Sequence, residues 1–96
     1  MPEIVWLPEA LNDLARLLDF LAKEHPDAAQ KAAGAISRGA KLLLSAPAIG
    51  RAMREPPARR EFAISFGASA YILRYRNDET GGIVIIRVWH GREARL

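Results

Sequence analysis

The sequence predicts an α+β domain in which a small antiparallel sheet packs on an antiparallel helical hairpin. Two adjacent segments, within residues 8–44, repeat apolar side chains at spacings of three and four, which is typical of amphipathic helices. Three later segments, within residues 61–92, are short, apolar and separated by glycine-containing connections, as strands are. With a short apolar run before the first helix, they give the order β-α-α-β-β-β in a single domain spanning residues 1–96.

The first strand is predicted at Glu3–Leu7, because this run contains Val5 and Trp6 and is stopped by Pro8, which lacks a backbone donor. Pro8 also suits the first turn of a helix, which is predicted to end near Glu24. The stripe expected to face the sheet consists of Leu7, Leu11, Leu14, Leu18 and Leu21. The other side of this helix is expected to carry Asn12, Asp13, Arg16, Asp19 and Lys23.

A second helix is predicted from Asp27 to Leu44, after a break at Pro26, whose ring disfavours helical geometry in the residue before it. The stripe expected to be buried is mostly alanine and comprises Ala29, Ala32, Ala33, Ile36, Ala40 and Leu43. Because only a few residues join the two helices, they are expected to form an antiparallel hairpin. The connection Ser45–Arg60 has apolar residues among its prolines, so it is predicted to be ordered.

Three strands are then predicted, at Glu61–Phe66, Ala70–Arg76 and Ile83–Arg92. The last begins with four consecutive β-branched residues, which is typical of a strand buried on both sides near the middle of a sheet. Regular alternation predicts that Arg87 and His90 lie on opposite faces of this strand. The face of Arg87 would carry Ile83, Ile85 and Trp89, and the face of His90 would carry Val84, Ile86 and Val88.

Charge is distributed unevenly along the chain. The formal net charge is +3, but residues 49–96 hold nine basic residues against five acidic ones, and all nine are arginine. A guanidinium pairs with a phosphate or a carboxylate through two parallel hydrogen bonds. The arginine bias is compatible with a solvated basic face, and it also fits a site for nucleic acid or for an acidic protein segment.

Several classes of protein and site are disfavoured. The chain has no cysteine, so disulfides and thiolate chemistry are excluded. Two histidines sixty-five positions apart and no cluster of acids leave no set of metal ligands, and no cofactor is expected. Neither a membrane span nor a signal peptide is apparent, so a cytoplasmic protein is expected.

In order along the chain, several short motifs resemble the RelE/ParE toxins of bacterial type II toxin–antitoxin systems. The motifs are Ile4–Trp6 with Ala10–Leu14, then Ala48–Arg51, Arg60–Phe62, Tyr71–Arg76 and Ile85–Arg92. Each is weak alone, but together they cover nearly the whole chain at the family's intervals. The resemblance implies a RelE/ParE-like fold and a toxin, of the kind used in plasmid stabilisation, that a cognate antitoxin neutralises.

The resemblance leaves two mechanisms open. RelE-like members are ribosome-dependent mRNA endoribonucleases, whereas ParE-like members inhibit DNA gyrase by binding. The ending Trp89-His90-Gly91-Arg92 is more similar to the ParE branch, and no tyrosine follows His90 as in many nuclease members. The sequence therefore favours a non-enzymatic gyrase inhibitor, with the nuclease as the alternative. A non-toxic module that binds nucleic acid is a second alternative.

Candidate site residues follow from these readings. In a nuclease, His90 would transfer a proton while Arg87 and Arg60 hold the phosphate. The residues expected to bind the target are Arg60, Tyr71, Arg74, Arg87, His90 and Arg92. The residues expected to bind the antitoxin are Leu11, Leu18, Leu43 and Trp89.

Overall fold

The computed structural model describes residues 2–95 and confirms the predicted α+β architecture. Its helices are α1 and α2, and its strands are β1 to β5 in chain order. Their bounds are β1 Ile4–Trp6, α1 Pro8–Glu24, α2 Pro26–Ser45, β2 Arg51–Ala52, β3 Arg60–Phe66, β4 Ser69–Asn77 and β5 Ile83–His90. No helix among these residues combines the length and the apolar character needed to cross a bilayer.

The sheet has five strands in the order β1-β5-β4-β3-β2, and it is mixed, where a purely antiparallel sheet was predicted. Strands β2 to β5 run antiparallel to their neighbours, but β1 pairs with β5 in parallel, with Ile4 opposite Ile83. The chain returns to the side of β1 only after both helices and the meander, and this long connection permits a parallel pair. The two-residue strand β2 was not predicted as a separate element.

One face of the sheet packs on the helical hairpin and forms the core. The predicted stripe of α2 is confirmed for Ala32, Ile36, Ala40 and Leu43, which are buried in the core, while Ala29 and Ala33 are half-buried. The largest fully buried side chains are Tyr75, Ile36, Leu43, Leu73, Ile83, Ile85 and Val88. At Gly39 a Cβ atom would overlap the side chain of Ile64, so α2 lies as close to β3 as a glycine allows.

The buried stripe of α1 is rotated from the predicted one. Ala10, Asp13 and Leu17 are buried, and Leu14, Leu18 and Leu21 of the predicted stripe are partly buried against the core, whereas Leu11 is 51% exposed. Strand β1 pairs with β5 only over Ile83–Ile85, so the remainder of β5 has no strand on this side and α1 lies beside it. Asp13, which was expected to face solvent, is therefore placed against β5. Its carboxylate accepts a backbone hydrogen bond that a neighbouring strand would otherwise accept.

A β-bulge in β5 changes the predicted alternation. Tyr75 pairs with Ile85 and Arg74 pairs with Arg87, so Ile86 is one residue in excess. Ile83 and Ile85 face the core before the bulge, and Val88 faces it afterwards. The predicted grouping was therefore wrong in part. Arg87 and Trp89 share a face, as do Val88 and His90, but Ile83 and Ile85 lie on the face of His90, opposite Arg87.

The connection between α2 and β3 is ordered, as predicted, and polar contacts with the sheet hold it. The hydroxyl of Tyr75 donates to the carbonyl of Pro47 at 2.7 Å and accepts from the amide of Gly50 at 3.0 Å. The guanidinium of Arg60 donates to the carbonyls of Gly50 and Ala48, at 2.8 and 3.4 Å. These bonds replace backbone hydrogen bonds that a loop cannot supply to itself.

Candidate functional site

The face of the sheet opposite the helices, called the open face below, carries most of the candidate charged residues. Cross-strand pairing places Glu61 of β3 beside Arg74 of β4, and Arg74 beside Arg87 of β5. Trp89 follows Arg87 on the same face of β5, since side chains alternate along a strand. Three neighbouring strands therefore supply one continuous band of charge that flanks an indole ring.

Glu61 is the centre of this band. Its Oε2 accepts from Nε and Nη2 of Arg74, at 3.1 and 2.8 Å, and both side chains are more than 90% buried. Its Oε1 forms longer ion pairs with Arg95 at 3.2 Å and with Arg51 at 3.4 Å. Burial alone would raise the pKa of Glu61, but the hydrogen bonds from Arg74 and the charges of Arg95 and Arg74 outweigh it and hold the pKa below its usual value.

Arg87 is held at the edge of the open face by the buried carboxylate of Asp13. Its Nε and Nη2 donate to the two oxygens of Asp13 at 2.7 and 3.0 Å, and the amide of Val88 donates to the same carboxylate at 2.9 Å. Burial opposes the ionised form of Asp13, but these hydrogen bonds overcome it, so the pKa of Asp13 is lowered. The hydrogen bonds that Arg87 donates to Asp13 likewise raise the pKa of Arg87.

Trp89 is covered by the two arginines beside it. The guanidinium carbon of Arg74 lies 4.6 Å from the ring centroid, and that of Arg87 lies 5.0 Å from it, both within cation–π range. Only 4% of Trp89 is exposed. Its ring therefore serves as a support for two cations, and its surface is unavailable to a partner while they remain in place.

His90 is the last residue of β5, directly before a turn, and it lies on the other face of the sheet. Its Nδ1 accepts from the amide of Arg92 at 3.2 Å, which leaves the ring proton on Nε2. Its own amide donates to Glu93 at 2.8 Å, and Glu93 pairs with Arg16 of α1 at 2.9 Å. The imidazole meets the ring of Tyr71 edge-on, with centroids 5.7 Å apart.

A groove of about 460 Å³ runs beside His90, between α1 and the sheet. It is lined by Arg16, Leu17, Phe20, Leu21, Tyr71, His90 and Glu93. Phe20 is 72% exposed, the largest exposure among the bulky apolar residues described. The groove is thus mainly apolar, with one ion pair at its rim.

The structure brings some predicted site residues together and separates others. Arg74 and Arg87 are neighbours on the open face, and Tyr71 and His90 are neighbours beside the groove. Arg60 pairs with Tyr75, four residues along β4 from Tyr71 and so about 13 Å away at strand spacing. Of the three residues expected to form a nuclease site, Arg87 therefore lies on the open face, whereas His90 and Arg60 lie on the other face but well apart along β4. Arg92 is exposed in the turn after β5.

The four residues predicted to bind the antitoxin differ in accessibility. Leu11 is exposed and Leu18 is half-buried on α1, so both are reachable from solvent. Leu43 is fully buried under the sheet, and Trp89 is buried on the open face. Exposed apolar residues that the sequence did not single out are Phe20, Leu42, Leu44 and Ile49.

Sequence reasoning missed the two buried acids that organise the arginines. Asp13 was placed on the solvent side of α1, and Glu61 was named only as the first residue of a predicted strand. The periodicity of α1 gave no signal for Asp13, because an acid that falls outside the leucine stripe of an amphipathic helix usually faces solvent. Residues 2–95 contain no group of three His, Cys, Asp or Glu side chains that would suit a metal ion.

Comparisons with known proteins agree on the family. The sequence model of a protein family, described as the ParE toxin of the type II toxin–antitoxin system parDE, matches residues 4–95. Two similar proteins come from Caulobacter vibrioides. Toxin RelE1 is 36% identical over 86 residues, which is 90% of this chain and 89% of that protein. Toxin RelE3 is 36% identical over 88 residues, 92% of each chain.

Solved structures show the same architecture. A chain from the chromosomal ParDE TA system of P. aeruginosa superposes with a TM-score of 0.71 and covers 94% of this chain and 96% of its own length. At 24% identity this likeness concerns the fold alone. The match over residues 4–95, and the two relatives of similar length, show that the chain belongs to the RelE/ParE family of type II toxin–antitoxin toxins.

Proposed function

We propose that this chain is a ParE-like toxin that inhibits DNA gyrase in the cytoplasm by binding to it, and that a cognate antitoxin neutralises it. The observation that carries the proposal is the separation of His90 from the arginines of the open face. Cleavage of RNA needs a group that transfers a proton close to the cations that hold the phosphate. Here the imidazole and the cluster of Arg74 and Arg87 lie on opposite faces of the sheet.

The acids of the open face do not replace the imidazole in that role. The pKa values of Asp13 and Glu61 are both lowered, so both carboxylates are ionised at neutral pH and already accept hydrogen bonds from arginine. Burial raises the pKa of Tyr71, so its hydroxyl stays protonated. The open face therefore offers charge and shape for binding, and this supports the inhibitor over the nuclease.

The alternative, a ribosome-dependent endoribonuclease, is favoured by one observation. Both Caulobacter vibrioides relatives are named RelE toxins, whereas the matching family model is that of ParE. In that case His90 would be the proton-transfer group, with Arg87 and Arg60 as the cationic residues. Their side chains would have to converge after binding to the ribosome, because Arg87 lies on the opposite face from His90, and Arg60 lies well apart from His90 along β4.

For the antitoxin, the helical hairpin offers the exposed apolar surface. Leu11, Phe20 and Leu42 are 51%, 72% and 43% exposed, which is unusual for large apolar side chains in a small domain. An amphipathic segment that folds on binding covers such a surface well. Leu18 lies on the same helix and would take part, while Leu43 would support the surface from beneath.

Induction of the chain in cells, without antitoxin, separates the two mechanisms. Two readouts are needed: DNA breaks with the SOS response, and primer extension across translated messages. We expect DNA damage without early mRNA cleavage, and inhibition of supercoiling by purified gyrase.

His90→Ala is the decisive variant, with His25→Ala in the exposed turn between the helices as its control. A general acid or base contributes about a hundred- to ten-thousand-fold, so a nuclease would lose at least a hundred-fold in cleavage. Rapid cleavage of ribosome-bound mRNA that disappears in His90→Ala, but not in His25→Ala, would replace the gyrase proposal with the nuclease.

A further inference from the structure

A second cleft lies on the open face, opposite the face that carries His90. It has a volume of about 330 Å³ between the connection after α2, strands β3 and β4, and the C-terminal segment. Its walls include Ile49, Ala63 and Ile72, and Arg51 and Arg95 stand on either side of Glu61. Apolar walls therefore meet a charged floor.

The floor is rich in arginine. Among the side chains of residues 2–95, Glu61 pairs with the guanidinium groups of Arg51, Arg74 and Arg95. Arg74 donates to one oxygen of Glu61, and Arg51 and Arg95 both pair with the other. The two outer arginines therefore share a single carboxylate oxygen.

The two outer arginines retain capacity to bind. A guanidinium has five N–H donors, and within residues 2–95 Arg51 and Arg95 each direct one nitrogen to Glu61. The side chain of Arg51 is 75% exposed and that of Arg95 is 30% exposed, so both reach the opening of the cleft. Because they converge on one oxygen from different segments, their guanidinium groups lie close together in the lining of the cleft.

The side chains around Arg51 and Arg95 indicate which class of anion the cleft suits. Nucleic acid is usually held by charge together with aromatic side chains that stack on the bases. The aromatic ring of the open face, Trp89, is 4% exposed and covered by Arg74 and Arg87, so it offers no stacking surface. The aliphatic wall formed by Ile49, which is 49% exposed, and Ile72 suits an aliphatic side chain next to the anion.

We propose that this cleft is a receptor for a Glu or Asp side chain, next to an aliphatic residue, from an acidic segment of a protein partner. The incoming carboxylate pairs with Arg51 and Arg95 in place of water, while Glu61 keeps Arg74 and holds the two outer arginines at the opening. The adjacent aliphatic side chain packs on Ile49 and Ile72. This site does not depend on whether the toxin inhibits gyrase or cleaves mRNA.

The test is an NMR titration of the isotope-labelled full chain with two probes of the same shape. N-acetyl-leucyl-glutamate amide carries the charge, and N-acetyl-leucyl-glutamine amide lacks it. We expect saturable shifts of the amides of Ala63 and Ile72 with the first probe, and at least tenfold weaker binding of the second. Hydrogen bonds to a charged acceptor contribute about 1.5–3 kcal/mol, which is tenfold or more.

Variants then assign the contacts. Arg51→Gln and Arg95→Gln should each weaken the charged probe about three- to tenfold, at the lower end of the range for charge-assisted bonds because both side chains are partly solvated. Arg76→Gln is the matched control, since Arg76 is an exposed arginine of β4 on the same face but outside the cleft. Its substitution should leave the affinity unchanged.

Four results would overturn the proposal. They are the absence of saturable shifts in the cleft, equal binding of the two probes, an equal loss in Arg76→Gln, and tighter binding of a single-stranded oligonucleotide to the same amides. The last result would assign the cleft to nucleic acid.

Discussion

At the scale of single residues, Asp13 connects the helical hairpin to the open face. Its carboxylate accepts hydrogen bonds from Nε and Nη2 of Arg87 and from the amide of Val88. Only 6% of Asp13 is exposed, so solvent cannot replace these partners. The residue thus compensates for the end of the β1–β5 ladder, where the amide of Val88 would otherwise be buried without an acceptor.

Asp13→Asn should therefore destabilise the fold. The amide group removes the charge that balances Arg87 and places an N–H donor where an acceptor is needed. Breaking a buried ion pair costs about 3–5 kcal/mol. The side chain of Arg87 is 33% exposed and recovers some hydration, so we expect a loss of about 2–3 kcal/mol.

Urea denaturation measures this change, with Asp19→Asn as the control on the exposed side of the same helix. A surface change of that kind usually stays within about 0.5 kcal/mol. Equal unfolding midpoints for the two variants would show that Asp13 does not stabilise the contact between α1 and β5.

At the scale of elements, regular patterns were predictable from sequence and their interruptions were not. The stripe of α2 follows its periodicity, because both neighbours of that helix are apolar and no polar group competes for the contact. The stripe of α1 is rotated, because α1 must supply an acceptor to β5 as well as bury leucines. The bulge at Ile86 could not be predicted, because it lies in a run of four β-branched residues that are equally suited to either face of the sheet.

The candidate site was affected by these same interruptions. The sequence indicated a concentration of arginine in residues 49–96, and two of these residues, Arg74 and Arg87, are neighbours on one sheet face. It could not place Glu61 among them, because the pairing of Arg51 and Arg95 with it depends on two loops whose course is fixed by tertiary contacts. Strand β2, which is only two residues long, was not predicted for the same reason.

The packing of α2 on β3 gives a prediction for this scale. Gly39→Ala should destabilise the fold, because the added Cβ would overlap Ile64, which is buried and cannot move freely. Overpacking of this kind costs about 1–3 kcal/mol, and the better helix propensity of alanine recovers up to about 1 kcal/mol of that. A net loss of about 1–2 kcal/mol is expected.

Gly34→Ala is the matched control in the same helix. There the added Cβ meets only the flexible end of Arg38, at 3.2 Å, so the gain in helix propensity should dominate. Thermal unfolding of the two variants should shift the midpoint in opposite directions. A stabilised Gly39→Ala would show that α2 can withdraw from β3 without loss.

At the scale of the whole molecule, three arginine-bound carboxylates hold distant segments together. Asp13 joins α1 to β5, Glu61 joins β3 to β4 and the C-terminal segment, and Glu93 joins the turn after β5 to α1 through Arg16. In each, burial would raise the pKa, but hydrogen bonds and neighbouring charges lower it further than burial raises it. The folded chain therefore binds these three protons less tightly than the unfolded chain does.

This difference sets the direction of the pH dependence. A carboxylate with a lowered folded pKa contributes stability that is fully present above its unfolded pKa, about 4, and is lost as the pH falls through the folded value. We expect the contribution of these acids to be constant above about pH 5, and stability to fall steeply below about pH 4. Urea denaturation at a series of pH values would record this.

For Asp13→Asn and Glu61→Gln, the free energy of unfolding should fall less steeply with decreasing pH than it does for the wild type. The difference in stability between each variant and the wild type should therefore shrink as the pH falls. Glu79→Gln, in an exposed loop, should follow the wild type at every pH. Curves for Asp13→Asn or Glu61→Gln that stay parallel to the wild type down to pH 2 would mean that these acids titrate alike in the folded and unfolded chains. The arginines would then not be what keeps them ionised.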